Sequence, residues 1–359
     1  MKKIAVFLLA IAMLLSVLAG CASKATTETS SETTTTPAET GAETTASTEE
    51  SADAASEPAK TSGWKIGVCT PNNAVPFFAR LDAGLEDTAA ELGFTVEIQD
   101  ANDDTATQIN QVQTFIAQGV DLIILMPTQL ESLIPVCKEA NEAGIPIMTV
   151  NRQLTAEASA DAVGVDLITY VGADDYEGGK KQGELLVKLI GTSGNVLLMQ
   201  GTLGASSCVY RQKGLEDYLA ENAPDIKIVA MQPSDQEQAQ AQTVMDNWLT
   251  MYGEGEIDAI VTQDPYSSIG CVDAMKAAGR TDLICKVITF DLPSEVLDAI
   301  RANEVYGTVV QAPYDQGVLG LQTAVKYLTE GGDGIEDFTY TDLPLCYVDN
   351  VSEFDTPAW

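Results

Sequence analysis

The chain reads as an α/β protein built from two doubly wound parallel-sheet lobes joined by a three-segment hinge. Three observations predict this. From Trp64 onward, short and continuously apolar β-rich runs alternate with amphipathic helices, the pattern of parallel strands covered on both faces. After Asp174 the same alternation restarts. Residues 64–359 also exceed the size at which a single hydrophobic core stops growing, so the folded part should divide.

In the first lobe, strand 65–69 leads into a helix carrying Phe78, Leu81, Leu85, Ala89 and Leu92 at helical spacing and closed by Gly93. Strand 94–98, a helix over about 105–118 and strand 121–125 follow. A further helix ends at Gly144, and Ile145-Pro146 leads into strand 147–150. The second lobe is expected to hold helix 178–190, strand 195–200, helix 206–221, strand 226–231, helix 236–252, strand 257–262, helix 267–278 and strand 285–290. Strand 305–310, a long helix 314–328 and a mixed tail complete the chain. Crossings near Ala173, Ala312 and Asp342 assign 64–173 plus 313–342 to the N-terminal lobe and 174–312 plus 343–359 to the C-terminal lobe.

Ahead of the lobes, Lys2 and Lys3 precede an apolar run over 4–18 that ends in Leu18-Ala19-Gly20-Cys21. At about fifteen residues the run falls short of the roughly twenty that span a bilayer, and it has the layout of an exported signal peptide, 1–20. It resembles a bacterial lipoprotein signal, which implies that Cys21 is acylated and anchors the protein. Residues 22–62 contain no aromatic and no Leu, Ile or Val, too little apolar surface to offset chain entropy, so 21–63 is expected to be a disordered, lipid-anchored tether. The expected location is the outer face of the cell membrane, or the periplasm.

Nineteen Lys and Arg against 53 Asp and Glu leave a formal charge of −34, which excludes nucleic acid as a partner because its binding needs clustered cations. The same sign argues against electrostatic attachment to anionic lipid. There is no histidine, which removes Ser-His-Asp and Cys-His catalysis and His-ligated zinc. No cofactor or metal is expected. Apart from Cys21 the cysteines are Cys69, Cys137, Cys208, Cys271, Cys285 and Cys346; they are widely spread with no CxxC pair, and most read as small buried apolar residues.

Ligands of open α/β sheets bind beyond the carboxyl ends of the strands. Those ends carry Asn72-Asn73 and Phe77-Phe78, Asn151-Arg152, Arg211, Gln263-Asp264, Asp291 and Gln311. Each alone fits a turn or helix cap. Together they bring amides, carboxylates, guanidinium groups and aromatic rings to one apolar wall, the chemistry that holds adjacent hydroxyls and covers a sugar ring.

The segments Pro76-Phe77-Phe78, 146–152 ending in Asn151-Arg152, Gly172-Ala173-Asp174-Asp175, Arg211-Gln212-Lys213-Gly214, Gln232-Pro233, Phe290-Asp291 and Gln311-Ala312-Pro313, in that order, resemble the periplasmic sugar-binding proteins of the ribose and galactose type. The resemblance covers about 64–351. It implies the type I periplasmic binding fold, no enzymatic activity, a monosaccharide or polyol ligand, delivery to the permease of an ABC importer, and a monomer. The implied ligand residues are Phe77, Phe78, Asn151, Arg152, Arg211, Asp264, Asp291 and Gln311, with Asn73 and Gln236 added from the neighbouring loops. Ser234-Asp235-Gln236 stands where ribose binders commonly carry an aromatic, and Gln263 is followed by Asp264 where the family usually has Asn, so a pentose held by the ribose contacts is not expected. Two other classes compete: a sensor that presents its ligand, such as a furanose signal, to a membrane receptor kinase, and a glycosidase using paired carboxylates.

Overall fold

The structure is a computed structural model and describes residues 63–156 and 159–359. The expected signal peptide, Cys21 and all of the tether before Gly63 lie outside the described residues. The described chain forms two six-stranded sheets. In the first, β2 (Val96–Asp100), β1 (Ile66–Thr70), β3 (Leu122–Leu125), β4 (Ile147–Val150), β5 (Tyr170–Ala173) and β11 (Phe338–Thr341) lie side by side, all parallel. The second places β7 (Asp225–Pro233), β6 (Ser193–Gln200), β8 (Ala259–Thr262), β9 (Val287–Phe290) and β10 (Gly307–Val309) in parallel and adds the antiparallel edge strand β12 (Leu345–Tyr347).

Helices α1 (Pro76–Glu91), α2 (Thr105–Gln118), α3 (Ile134–Glu142) and α9 (Pro313–Glu330) cover the first sheet. Helices α4 (Asp175–Ile190), α5 (Ser206–Asn222), α6 (Gln238–Met251), α7 (Pro265–Ala277) and α8 (Ser294–Arg301) cover the second. The strands β3, β4, β8 and β9 are buried along their whole length, as strands packed on both faces must be. The chain passes between the sheets after β5, after β10 and after β11, three times in all.

The elements depart from the sequence reading where local signals were weak. Strand β5 has four residues, two of them Gly172 and Ala173, and only its pairing with β4 and β11 makes it a strand. Helix α4 begins at Asp175 rather than Gly178, because the Asp174 carboxylate accepts from the Glu177 amide at 3.0 Å and caps it. Strand β9 starts at Val287 because Cys285 has φ of 61°, and α6 starts at Gln238 because Asp235 and Gln236 have φ of 52° and 62°. Helix α8 and the strands of the tail, β11 and β12, were not anticipated.

The pair α4 and α5 meets at contact distance: a Cβ on Gly179 would stand 2.1 Å from the Arg211 carbonyl oxygen, and one on Gly214 1.9 Å from that of Tyr176. Glycine is needed at both positions for that approach, and the approach places Arg211. Of the cysteines Cys69, Cys137, Cys208, Cys271 and Cys346 are buried and Cys285 is half-buried; among the described residues none is in a disulfide. Burial pushes the Cys137 thiol up to about 12, consistent with an inert core residue.

Candidate ligand-binding site

The carboxyl ends of the two sheets face each other across a narrow cavity of about 30 Å³. Phe77, Phe78, Asn151 and Arg152 line it from the first lobe. Arg211, Gln236, Asp264, Asp291 and, from the crossing segment, Gln311 line it from the other side. The lobes are in direct contact around it: the Leu130 amide donates to the Gly204 carbonyl at 2.9 Å, the Gln153 amide to Ser206 Oγ at 2.9 Å and the Tyr210 hydroxyl to the Thr155 carbonyl at 3.0 Å.

Phe77 and Phe78 open α1 directly behind Pro76, whose fixed φ suits the first helical turn. Both rings are buried and stand edge to face, centroids 5.5 Å apart, so both serve as the apolar wall. Arg152 is only 2 % exposed, with its guanidinium carbon 4.9 Å above the Phe78 ring. Among the described residues it has no ion pair: Nη1 alone finds acceptors, the carbonyls of Pro127 at 3.4 Å and Thr128 at 3.2 Å. Desolvation brings this guanidinium down to about 10. A buried cation with most of its donors unspent is costly unless a ligand supplies oxygen acceptors.

Arg211 is used differently. Its Nε donates to Asp175 Oδ1 at 2.8 Å, its Nη1 to the Gln263 carbonyl at 2.6 Å, and its guanidinium carbon lies 3.5 Å over the Phe290 ring. Asp264 is both a lining residue and the cap of α7, accepting from the Ser267 amide at 2.9 Å and the Ser267 hydroxyl at 2.5 Å. Asp291, in the left-handed region at φ of 70°, accepts from Gln311 Nε2 at 2.8 Å. Burial pushes the carboxyls of Asp175 and Asp264 above their usual range and lifts Asp291 to about 7 against the pull of Arg211.

Asn73 is not among the lining residues. The loop folds on itself instead: the Asn72 side chain accepts from the Ala74 amide, an Asx turn, and Asn73 Oδ1 accepts from Thr70 at 3.2 Å, beside the buried Asp82. Cys208 and Tyr266, which the sequence did not single out for the cleft, also line the cavity, as do Ser207 and Gln263, which it placed at strand ends without a ligand role. Gln263 is a bracket rather than a free group, accepting from the Gly201 amide at 3.0 Å and donating to the Cys208 carbonyl at 2.9 Å. Tyr266 comes two residues after Asp264, in the first turn of α7; that position was its only signal. Among the described residues no group of three or more His, Cys, Asp or Glu could hold a metal ion.

A pair of open parallel sheets, crossed three times by the chain and enclosing a cavity of fixed polar groups at their carboxyl ends, defines a type I two-lobe binding protein. The chain belongs to the periplasmic binding protein domain family, whose pattern matches residues 66–333. It is 32 % identical over 287 residues to the xylitol-binding protein of Mycolicibacterium smegmatis, covering 80 % of this chain and 78 % of that one. Identity to the ribose import binding protein of Escherichia coli is 28 % over 278 residues, 77 % of this chain and 88 % of the relative. The Caulobacter myo-inositol binding protein, solved with myo-inositol, superposes with a TM-score of 0.72 at 29 % identity, covering 83 % of this chain and 98 % of that one.

Proposed function

We propose that the protein is an extracytoplasmic solute-binding component that captures an uncharged sugar or polyol between its lobes and delivers it to an ABC importer. The observation that carries this reading is Arg152, buried with a single nitrogen engaged and facing a cavity that also holds Asp264, Asp291 and two phenylalanine rings. Donors and acceptors on opposite walls with aromatic faces between them suit a ring or chain of hydroxyls. The relatives named for xylitol, ribose and myo-inositol support the same ligand class. Phe77, Phe78, Asn151, Arg152, Arg211, Gln236, Asp264, Asp291 and Gln311 are the proposed ligand residues, and the lobe boundaries are those read from the crossings. Binding without turnover is favoured because the carboxylates lining the cavity are tied to fixed donors: Asp264 to Ser267 and Asp291 to Gln311.

A melting-temperature screen against pentoses, hexoses, pentitols, inositols and furanoses tests the reading, since a ligand that binds only the folded state raises the midpoint with concentration. Failure of every compound to shift the midpoint refutes it, and disappearance of a compound on incubation identifies an enzyme instead. Anchoring through lipid at Cys21 is part of the proposal. Labelled fatty acid should enter the parent in a bacterial host and not the Cys21→Ser variant.

A further inference from the structure

We infer that Gln316, a residue outside the cavity, is a positioning residue that orients Asn151 as a hydrogen-bond acceptor toward the ligand and ties the strand ends of the two lobes together. The inference rests on the reading of the cavity as a ligand site. Asn151 directly follows β4 and Asp291 directly follows β9, each the third strand from the edge formed by the tail strand of its sheet, and both have positive φ, 61° and 70°. Between them runs an unbroken chain of side-chain amides. Asn151 Nδ2 donates to Gln316 Oε1 at 3.0 Å, Gln316 Nε2 to Gln311 Oε1 at 3.0 Å, and Gln311 Nε2 to Asp291 Oδ1 at 2.8 Å. All four residues are buried.

The direction of this chain is set by its end. At pH 8 the Asp291 carboxyl, lifted to about 7, is ionised and only accepts, so Gln311 presents its Nε2 to it, as the hydrogen bond shows. Gln311 Oε1 then faces Gln316 Nε2, Gln316 Oε1 faces Asn151 Nδ2, and Asn151 is left with Oδ1 to offer a ligand hydroxyl. A carboxylate at position 151 would set lone pair against lone pair at Gln316 Oε1. Asn151 and Gln316 are therefore a matched pair. The other charged or titratable groups around position 151 are Arg152 next to it and the Tyr170 hydroxyl, which donates to the Asn151 carbonyl at 2.9 Å, with Arg211, Asp175 and Asp291 on the far side.

The test is a double-mutant cycle on the ligand-free protein with Asn151→Asp, Gln316→Met and the double variant, melted at pH 5 and pH 8. Asn151→Asp should lower the midpoint by several degrees at pH 8 and by much less at pH 5, where a protonated carboxyl can donate to Gln316. In the Gln316→Met background the loss at pH 8 should shrink by at least half. Equal losses in both backgrounds, or no dependence on pH, overturn the inference. Parallel titration of the four proteins with xylitol, D-ribose and myo-inositol separates the two claims. If neither these nor any compound of the melting-temperature screen binds the parent the proposed function fails, while the melting cycle still decides the role of Gln316. If one binds, Gln316→Met alone should weaken it about tenfold, and unchanged affinity counts against a positioning role.

Discussion

The indole of Trp359 stands edge-on to the ring of Phe77, centroids 5.7 Å apart and planes at 89°, and so joins a segment anchored in the second lobe to the cavity wall of the first. The anchoring is visible in the Ala358 amide, which donates to the Leu292 carbonyl at 2.8 Å, and in Val351 and Phe354, which pack on the core of the second lobe. Tyr266, from α7, completes the group at 6.3 Å from the indole. Edge-to-face pairs contribute about 0.5–1.5 kcal/mol each. Trp359→Ala should therefore raise the ligand dissociation rate roughly two- to thirteenfold with little change in association rate, and Trp359→Phe should recover most of the difference. Stopped-flow traces on the two variants decide this; an unchanged dissociation rate would show that the contact does not hold the lobes.

Arg152→Met should separate binding from stability. The substitution keeps the volume over Phe78 but removes a buried guanidinium that has no ion pair among the described residues. Ligand affinity should fall about a hundredfold or more, while the ligand-free protein melts no lower than the parent. Calorimetric titration and a melting curve on the same preparation check both halves.

Asp291 should report on pH. Its folded value of about 7 lies above that of an unfolded aspartate, so the native state holds its proton longer. By linkage, this residue's contribution favours folding below about pH 4 and is lost as pH rises toward 7 and beyond. Asp291→Asn should flatten the fall in midpoint between pH 5 and 8, yet weaken binding by roughly ten- to a hundredfold, the size of one charge-assisted hydrogen bond. A ligand hydroxyl donating to the carboxylate stabilises its ionised form, so parent binding near pH 6.5 should release protons. Titration in buffers of different ionisation enthalpy measures that release; uptake instead would place Asp291 in a donor role.

Gly214→Ala tests how the site is held from behind. Its Cβ would meet the Tyr176 carbonyl at 1.9 Å and force α5 away from α4, costing about 1–3 kcal/mol as overpacking does. Since Arg211 lies one turn earlier and bonds to Asp175 on α4, affinity should drop together with the melting midpoint. A normal midpoint in this variant would show that the helices separate without strain.

Buried Asp82 offers a stability gain outside the site. Among the described residues neither of its oxygens has a hydrogen bond of good geometry, and burial lifts it to about 7 against the pull of the neighbouring Asn73 and Thr70 side chains. Asp82→Asn should raise the melting midpoint at pH 8 more than at pH 5, because only at the higher pH does the parent hold an ionised group there.

The alternation of strands and helices, the two lobes and most of the cavity wall are written in the order of the residues alone. Apolar runs such as 122–125 and 287–290 are continuous because both faces of the sheet are covered, and the residues at the carboxyl end of such a run are the ones that a crevice presents. Phe77, Asn151, Arg152, Arg211, Asp291 and Gln311 were legible for that reason, each standing at a strand end or in the first turns of the helix behind it. Only the tertiary structure decided the rest, because it depends on contacts between residues far apart in the chain. Strand β5 exists through its neighbours, and Asn73 turns inward because its loop satisfies its own amides. Gln316 reaches Asn151 across 165 positions, and Trp359 reaches Phe77 from the other end of the described chain. Local periodicity carries no record of a partner that folding brings from elsewhere.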